Sequence, residues 1–135
     1  MKNRHVAALT AMIAAGAVCG LVPPGPSRAR AAEATVSFKA GVLPIFEANC
    51  VSCHRAPDGQ GYKVSGLDLT SYQGVMKGTK YGAMVVPGDP DNSNLMWLLD
   101  WKASPELRMP HGKEQLPASE RDTIRTWIRQ GAKDN

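Results

Sequence analysis

Five residues, Cys50-Val51-Ser52-Cys53-His54, constrain this chain more than any other stretch of it. Two thiols three positions apart, with an imidazole directly after the second, form the C-x-x-C-H arrangement, whose chemistry is covalent attachment of haem. The spacing carries the mechanism. Each thiol adds to one of two vinyl groups along one side of a porphyrin, and the adjacent histidine is carried beneath the iron as an axial ligand. With three Cys and three His in 135 residues, chance yields the pattern in about one such chain per thousand, so coincidence is a poor account of it.

Other chemistries open to these residues fit less well. A Cys50–Cys53 disulfide of the thioredoxin kind needs a strand, crossover helix and strand around it, and no such pattern surrounds the motif. A zinc site needs four ligands, and the region offers Cys50, Cys53, His54 and His111 without a second pair at metal-binding spacing. A lone histidine is by default a packed side chain, but two cysteines at this spacing override that default.

Charge has to be mapped before it is interpreted. The chain carries 16 Lys and Arg against 12 Asp and Glu, a formal excess of +4. Lys2, Arg4, Arg28 and Arg30 precede Ala32, whereas every acidic residue follows it, so the remainder balances twelve against twelve. Residues 1–31 read as a cleaved export signal: Lys2, Arg4 and His5 lead, an apolar stretch runs from Val6 to Val22, and Pro23-Pro24-Gly25-Pro26 ends it. Ala29-Arg30-Ala31 is the best cleavage site, and Ala32-Glu33-Ala34 is a second. Retention of the stretch as a membrane tether is the alternative, although it is slightly shorter than the ~20 residues a spanning helix wants. Cys19 lacks the large apolar residue expected three places before a lipoprotein cysteine and is read as incidental. The expected location is the periplasm, where Cys50 and Cys53 belong in a covalent bond or on a ligand. A balanced surface lacks the basic excess that neutralising phosphates requires, so no nucleic-acid partner is expected. No membrane partner is expected either once the signal is removed.

With His54 on one side of the iron, the other side decides what the site does, because a second protein ligand favours electron transfer whereas an open position admits ligands. Met76, Met84, Met96, Met109 and His111 are the candidates. Met109 lies in a loop between Pro105 and Pro110, whose fixed dihedrals suit holding a thioether at a metal. Met96 sits among Leu95, Trp97, Leu98 and Leu99 and reads as core; Met84 precedes Val85 and Val86, and Met76 falls on a short helix. Met109 is therefore the favoured distal ligand.

Ten prolines and thirteen glycines argue for short elements and many turns. Val42, Leu43, Ile45 and Phe46 give one apolar face to a helix entering the motif, with Pro44 in its first turn. A long turn-rich stretch follows. Thr70 or Ser71 caps a helix ending at Gly78, and Ser93 caps another through Leu95 to about Trp101. The last helix starts near Ala118 or Ser119, carries Ser119 and Asp122 at capping-box spacing, turns Ile124, Trp127 and Ile128 inward, and stops at Gly131. The expected fold is all-α, with a lead segment over 32–41 and one domain over 42–135. Tyr62, Tyr72, Tyr81, Trp97, Trp101 and Trp127 are read as apolar packing.

From Pro44 to Ala132 the sequence resembles a monohaem c-type cytochrome of the planctomycete cytochrome c type, a small class I-like domain. The matching stretches run from Leu43-Pro44-Ile45-Phe46 through Cys53-His54, then Gly66-Leu67-Asp68-Leu69, Val86-Pro87-Gly88-Asp89-Pro90-Asp91-Asn92-Ser93-Asn94-Leu95, Met109-Pro110 and Trp127-Ile128-Arg129-Gln130-Gly131-Ala132. Their order persuades more than any one block. The resemblance implies a class I cytochrome c-like fold of short helices and long loops around one covalent haem c. It also implies thioethers at Cys50 and Cys53, His54 as proximal ligand, Met109 as distal ligand, and a terminal helix crossing the helix before the motif. Two departures, Thr79-Lys80-Tyr81-Gly82 in place of a more glycine-rich turn and Arg55 after the histidine, touch no ligand.

The resemblance implies an electron-transfer protein, not an enzyme, passing single electrons between a redox donor and an acceptor protein. Two other readings are an electron-accepting subunit of a periplasmic dehydrogenase and, if Met109 is not the distal ligand, a ligand-binding haem protein. Between residues 55 and 80, Arg55, Lys63, Lys77 and Lys80 are opposed only by Asp58 and Asp68; a solvated charged face is the simpler reading, and a docking patch for an acidic redox partner the sharper one.

Overall fold

The computed structural model describes residues 33–135. The expected export signal over 1–31, with Cys19, lies outside the described residues. Ser37 opens the first helical segment, its Oγ accepting the Ala40 N–H at 3.1 Å. The chain first winds as a π-turn, Phe38–Val42, and continues without a break as α1, Leu43–Asn49. The change of register coincides with Pro44, which has no N–H to donate in either. Phe38, Val42 and Phe46 follow one another at four-residue spacing and are all buried.

Four further helices follow: α2 (Gln60–Ser65), α3 (Tyr72–Lys77), α4 (Asn94–Leu99) and α5 (Ala118–Arg129), with a 3₁₀ turn at Pro105–Leu107. Among the described residues there is no strand, and the fold is all-α as expected. Every helix but α5 is shorter than eight residues, too short to hold its shape without packing. None is long and apolar enough to cross a membrane among the described residues.

Packing is organised by α5, which lies against the π-turn and against α4. Its Ile124, Trp127 and Ile128 are buried, and Phe38 meets Trp127 at 5.4 Å and Tyr72 at 5.5 Å between ring centres. Each fully buried aliphatic or Phe side chain stabilises the fold by about 1.5–3 kcal/mol. The polar ends of the aromatic cluster are satisfied: Tyr72 Oη donates to the Ala132 carbonyl at 2.9 Å and Trp127 Nε1 to the Lys133 carbonyl at 2.9 Å. Residues 33–41 pack in the same compact unit as the rest, with the Phe38 N–H donating to Asn135 Oδ1 at 2.9 Å.

Several local expectations change in three dimensions. Ser71 caps α3 as expected, accepting the Gly74 N–H at 3.1 Å. Ser93 precedes α4 but does not cap it through its side chain; its buried hydroxyl accepts the Val86 N–H at 2.9 Å and donates to the Asp89 carbonyl at 2.7 Å. It closes the turn before the helix instead. α5 begins at Ala118, within the expected start, but the Ser119–Asp122 capping box does not form, because the cap position falls on Pro117, two residues before Ser119, and has no side-chain cap. The turn-rich stretch after the motif contains α2, which buries none of its own residues and therefore shows no apolar stripe. α4 ends at Leu99 rather than near Trp101, and Asp100 clamps it to α5: Arg125 Nη2 lies 2.8 Å from both carboxylate oxygens and Arg121 Nη1 3.0 Å from one.

Candidate functional site

α1 delivers Cys50 at its C-terminus, where the Cys50 N–H still bonds the Phe46 carbonyl at 2.8 Å. The next turn doubles back, so that the Cys50 carbonyl accepts both the Cys53 N–H at 3.0 Å and the His54 N–H at 2.9 Å. The motif's later carbonyls are taken from outside it, Cys53 O by the Tyr62 N–H at 3.1 Å and His54 O by the Leu69 N–H at 2.9 Å. The loop is thus tied to α2 and to the segment after it. Both cysteines are free thiols. Among the described residues no three His, Cys, Asp or Glu side chains are grouped to hold a metal ion, so the zinc arrangement has no counterpart here.

Two glycines that the sequence does not single out shape this loop. A Cβ at Gly59 would collide with the Cys53 carbonyl oxygen, and one at Gly61 would stand 2.8 to 3.0 Å from three atoms of the His54 ring. α2 therefore lies directly on the imidazole, and only a residue without a side chain fits there. No sequence signal points to this contact, because the helix that carries Gly61 shows no apolar periodicity.

Cys50, Cys53 and His54 open on a cavity of about 870 Å³ that Met84, Met109 and His111 also line. Its volume lies in the ~300–1,000 Å³ range of cofactor sites. Phe46, Leu67, Leu69, Leu95, Leu98 and Leu99 supply apolar wall. Of the five candidates for a second axial ligand, Met109, Met84 and His111 reach the cavity. Met96 is 1% exposed within the core, and Met76 packs against the core away from the cavity. Tyr81 and Trp97, read as packing residues, are instead exposed at the cavity's border, while Tyr72 and Trp127 pack internally as expected.

Burial sets the electrostatics. It pushes the Cys50 thiol up to about 11, with Lys113 pulling the other way and Glu120 and Cys53 adding to the rise. Burial also lowers the His54 pKa, offset in part by the Leu67 backbone, so the imidazole is neutral near pH 7. Its Nδ1 is buried without a hydrogen-bond partner. A neutral imidazole with an unpaired nitrogen, two free thiols and an apolar chamber fit haem: sulfur for its vinyl edge, nitrogen for iron, hydrocarbon for the macrocycle faces.

Met109 is held by its backbone. Its N–H donates to the Leu98 carbonyl at 3.2 Å, and its own carbonyl accepts from Trp101 Nε1 at 3.0 Å. The loop that carries the thioether is thereby fastened to the end of α4.

Residues 50–111, which span the motif, the cavity wall and this loop, match the family described as Planctomycete cytochrome C. Over that stretch the chain is similar to a c-type cytochrome domain. No curated protein and no solved structure matches the chain. The match suggests a haem-binding electron carrier, and the cofactor it implies is haem c. The match begins at Cys50 and ends at His111, so α1 and α5 flank it.

Proposed function

We propose that the protein is a periplasmic monohaem cytochrome that carries single electrons between redox proteins, with iron ligated by His54 and Met109. The observation that carries this reading is the single cavity lined by Cys50, Cys53, His54 and Met109 together. Bound haem supplies a one-electron couple between ferric and ferrous iron. Cys50 and Cys53 hold it through thioethers, and His54 binds iron as a neutral imidazole. The Met109 thioether, a soft ligand, favours the ferrous state, and the leucine walls keep water out and do the same by disfavouring extra charge. With His54 and Met109 both holding the iron, the chemistry left to the site would be outer-sphere electron transfer. The N-terminal basic and apolar pattern supports export and a periplasmic location.

Redox partners would dock at the basic side. Arg55, Lys63, Lys77 and Lys80 are exposed, and Lys80 Nζ stands 5.2 Å from the centre of the Tyr81 ring, beside exposed Val64 at the cavity border. Exposed cations, with Lys80 beside the rim residue Tyr81, suit an acidic partner surface.

The attachment chemistry is tested by the intact mass of protein produced in a periplasm. One haem covalently added per chain, lost in Cys50→Ser/Cys53→Ser, with a reversible one-electron redox titration, is the expected result. A chain without covalent haem would overturn the reading.

A further inference from the structure

Trp101 stands where a helix end usually has glycine. Asp100 is the last residue of α4's cap, and Trp101 follows it with φ 58°, the left-handed region that bulky residues rarely adopt. A side chain kept in such a conformation calls for a compensating role. Core packing does not supply it, because Trp101 is only half-buried and belongs to neither the apolar core nor the cavity wall.

Its indole hydrogen bond and its cation contact both go to the Arg108–Met109 loop. Nε1 donates to the Met109 carbonyl at 3.0 Å, and the ring lies under the Arg108 guanidinium, 5.4 Å from its centre. The Met109 N–H is taken by the Leu98 carbonyl at 3.2 Å, one turn earlier on the same helix. Both backbone hydrogen-bonding groups of Met109 are therefore fixed by the end of α4, and one of the two bonds depends on the indole.

We propose that Trp101 is a positioning residue for the distal ligand: its indole N–H anchors the Met109 carbonyl and so holds the thioether at the iron. This rests on Met109 being that ligand. Releasing one backbone anchor weakens the hold of the thioether against a competing ligand by the worth of one hydrogen bond, on the order of tenfold in binding.

The test uses ferric holoprotein and added imidazole, followed by absorbance. Trp101→Phe, which keeps a ring and removes the N–H, is expected to bind imidazole about tenfold more tightly than wild type. Met109→Ala binds it more tightly still, and adding Trp101→Phe to Met109→Ala changes nothing further. Should Trp101→Phe fail to assemble, a benzothiophene analogue of Trp101, isosteric but without the N–H, gives the same comparison. Wild-type imidazole affinity in the Trp101 variant, with Met109→Ala responding, overturns the positioning role alone. An equal effect of Trp101→Phe with and without Met109 also overturns it, because the indole would then act elsewhere. Unchanged affinity in Met109→Ala overturns the ligand assignment and the proposal with it.

Discussion

At the scale of single residues, the C-x-x-C-H motif announces its own chemistry, because covalent spacing is a local property. What holds the histidine is not local. Gly61 is close to His54 in space through a turn of chain whose course the sequence does not disclose, and the close approach over the imidazole is visible only once α2 is placed. Gly61→Ala would force a methyl group to within 2.8 Å of the ring. Shifting the ring or the helix costs about 1–3 kcal/mol, so the holoprotein should melt several degrees lower, with its axial-ligand spectrum altered. An unchanged melt and spectrum would show that α2 gives way freely. The candidates for a second ligand were legible in part: prolines around Met109 marked its loop, and the core surroundings of Met96 were legible from its apolar neighbours. That Met84 and His111 share the cavity with Met109 was not legible, since neither spacing nor composition places them there.

At the scale of elements, α3, α4 and α5 were legible because each presents apolar residues at helical spacing to a core. α2 was not, because it buries nothing of its own and is held by its contact with the haem-binding loop. Two serines expected as caps, Ser93 and Ser119, were read from local preference, which tertiary demands overrode. The junction of α4 and α5 rests on Asp100, whose side chain is 7% exposed. Burial alone would raise its pKa, but hydrogen bonds from Arg125 and Arg121 outweigh that and hold it below the ordinary 3.8. Asp100→Asn should therefore destabilise the protein at pH 7, by about 1–3 kcal/mol for hydrogen bonds to charged groups. A depressed carboxylate contributes fully above its unfolded pKa and loses that contribution as pH falls through the folded value. Denaturation of both proteins from pH 7 down to pH 3 should show the stability gap closing below about pH 4. A gap that stays constant with pH would mean the arginines do not act through the carboxylate charge.

At the scale of the whole molecule, the domain separates its tasks. The aromatic cluster of Phe38, Tyr72 and Trp127 closes the fold away from the site, whereas the leucines of the motif-side loops and α4 line the cavity. Overall charge divides likewise: the basic excess of the full chain lies before residue 32, and in the balanced remainder the stretch 55–80 carries the proposed basic docking patch. If that patch steers an acidic partner, transfer rates should fall as ionic strength rises from 10 mM to 300 mM, where screening shortens from about 30 Å to under 10 Å. Rates independent of salt would remove the patch from the account. The central claim, that protein ligands close both axial positions of one covalent haem, is tested most directly by carbon monoxide. The reduced wild-type spectrum should be unchanged by the gas, and that of Met109→Ala should shift as carbon monoxide takes the vacated position. Rapid binding to the wild-type protein, or an unchanged low-spin spectrum in Met109→Ala, would contradict it.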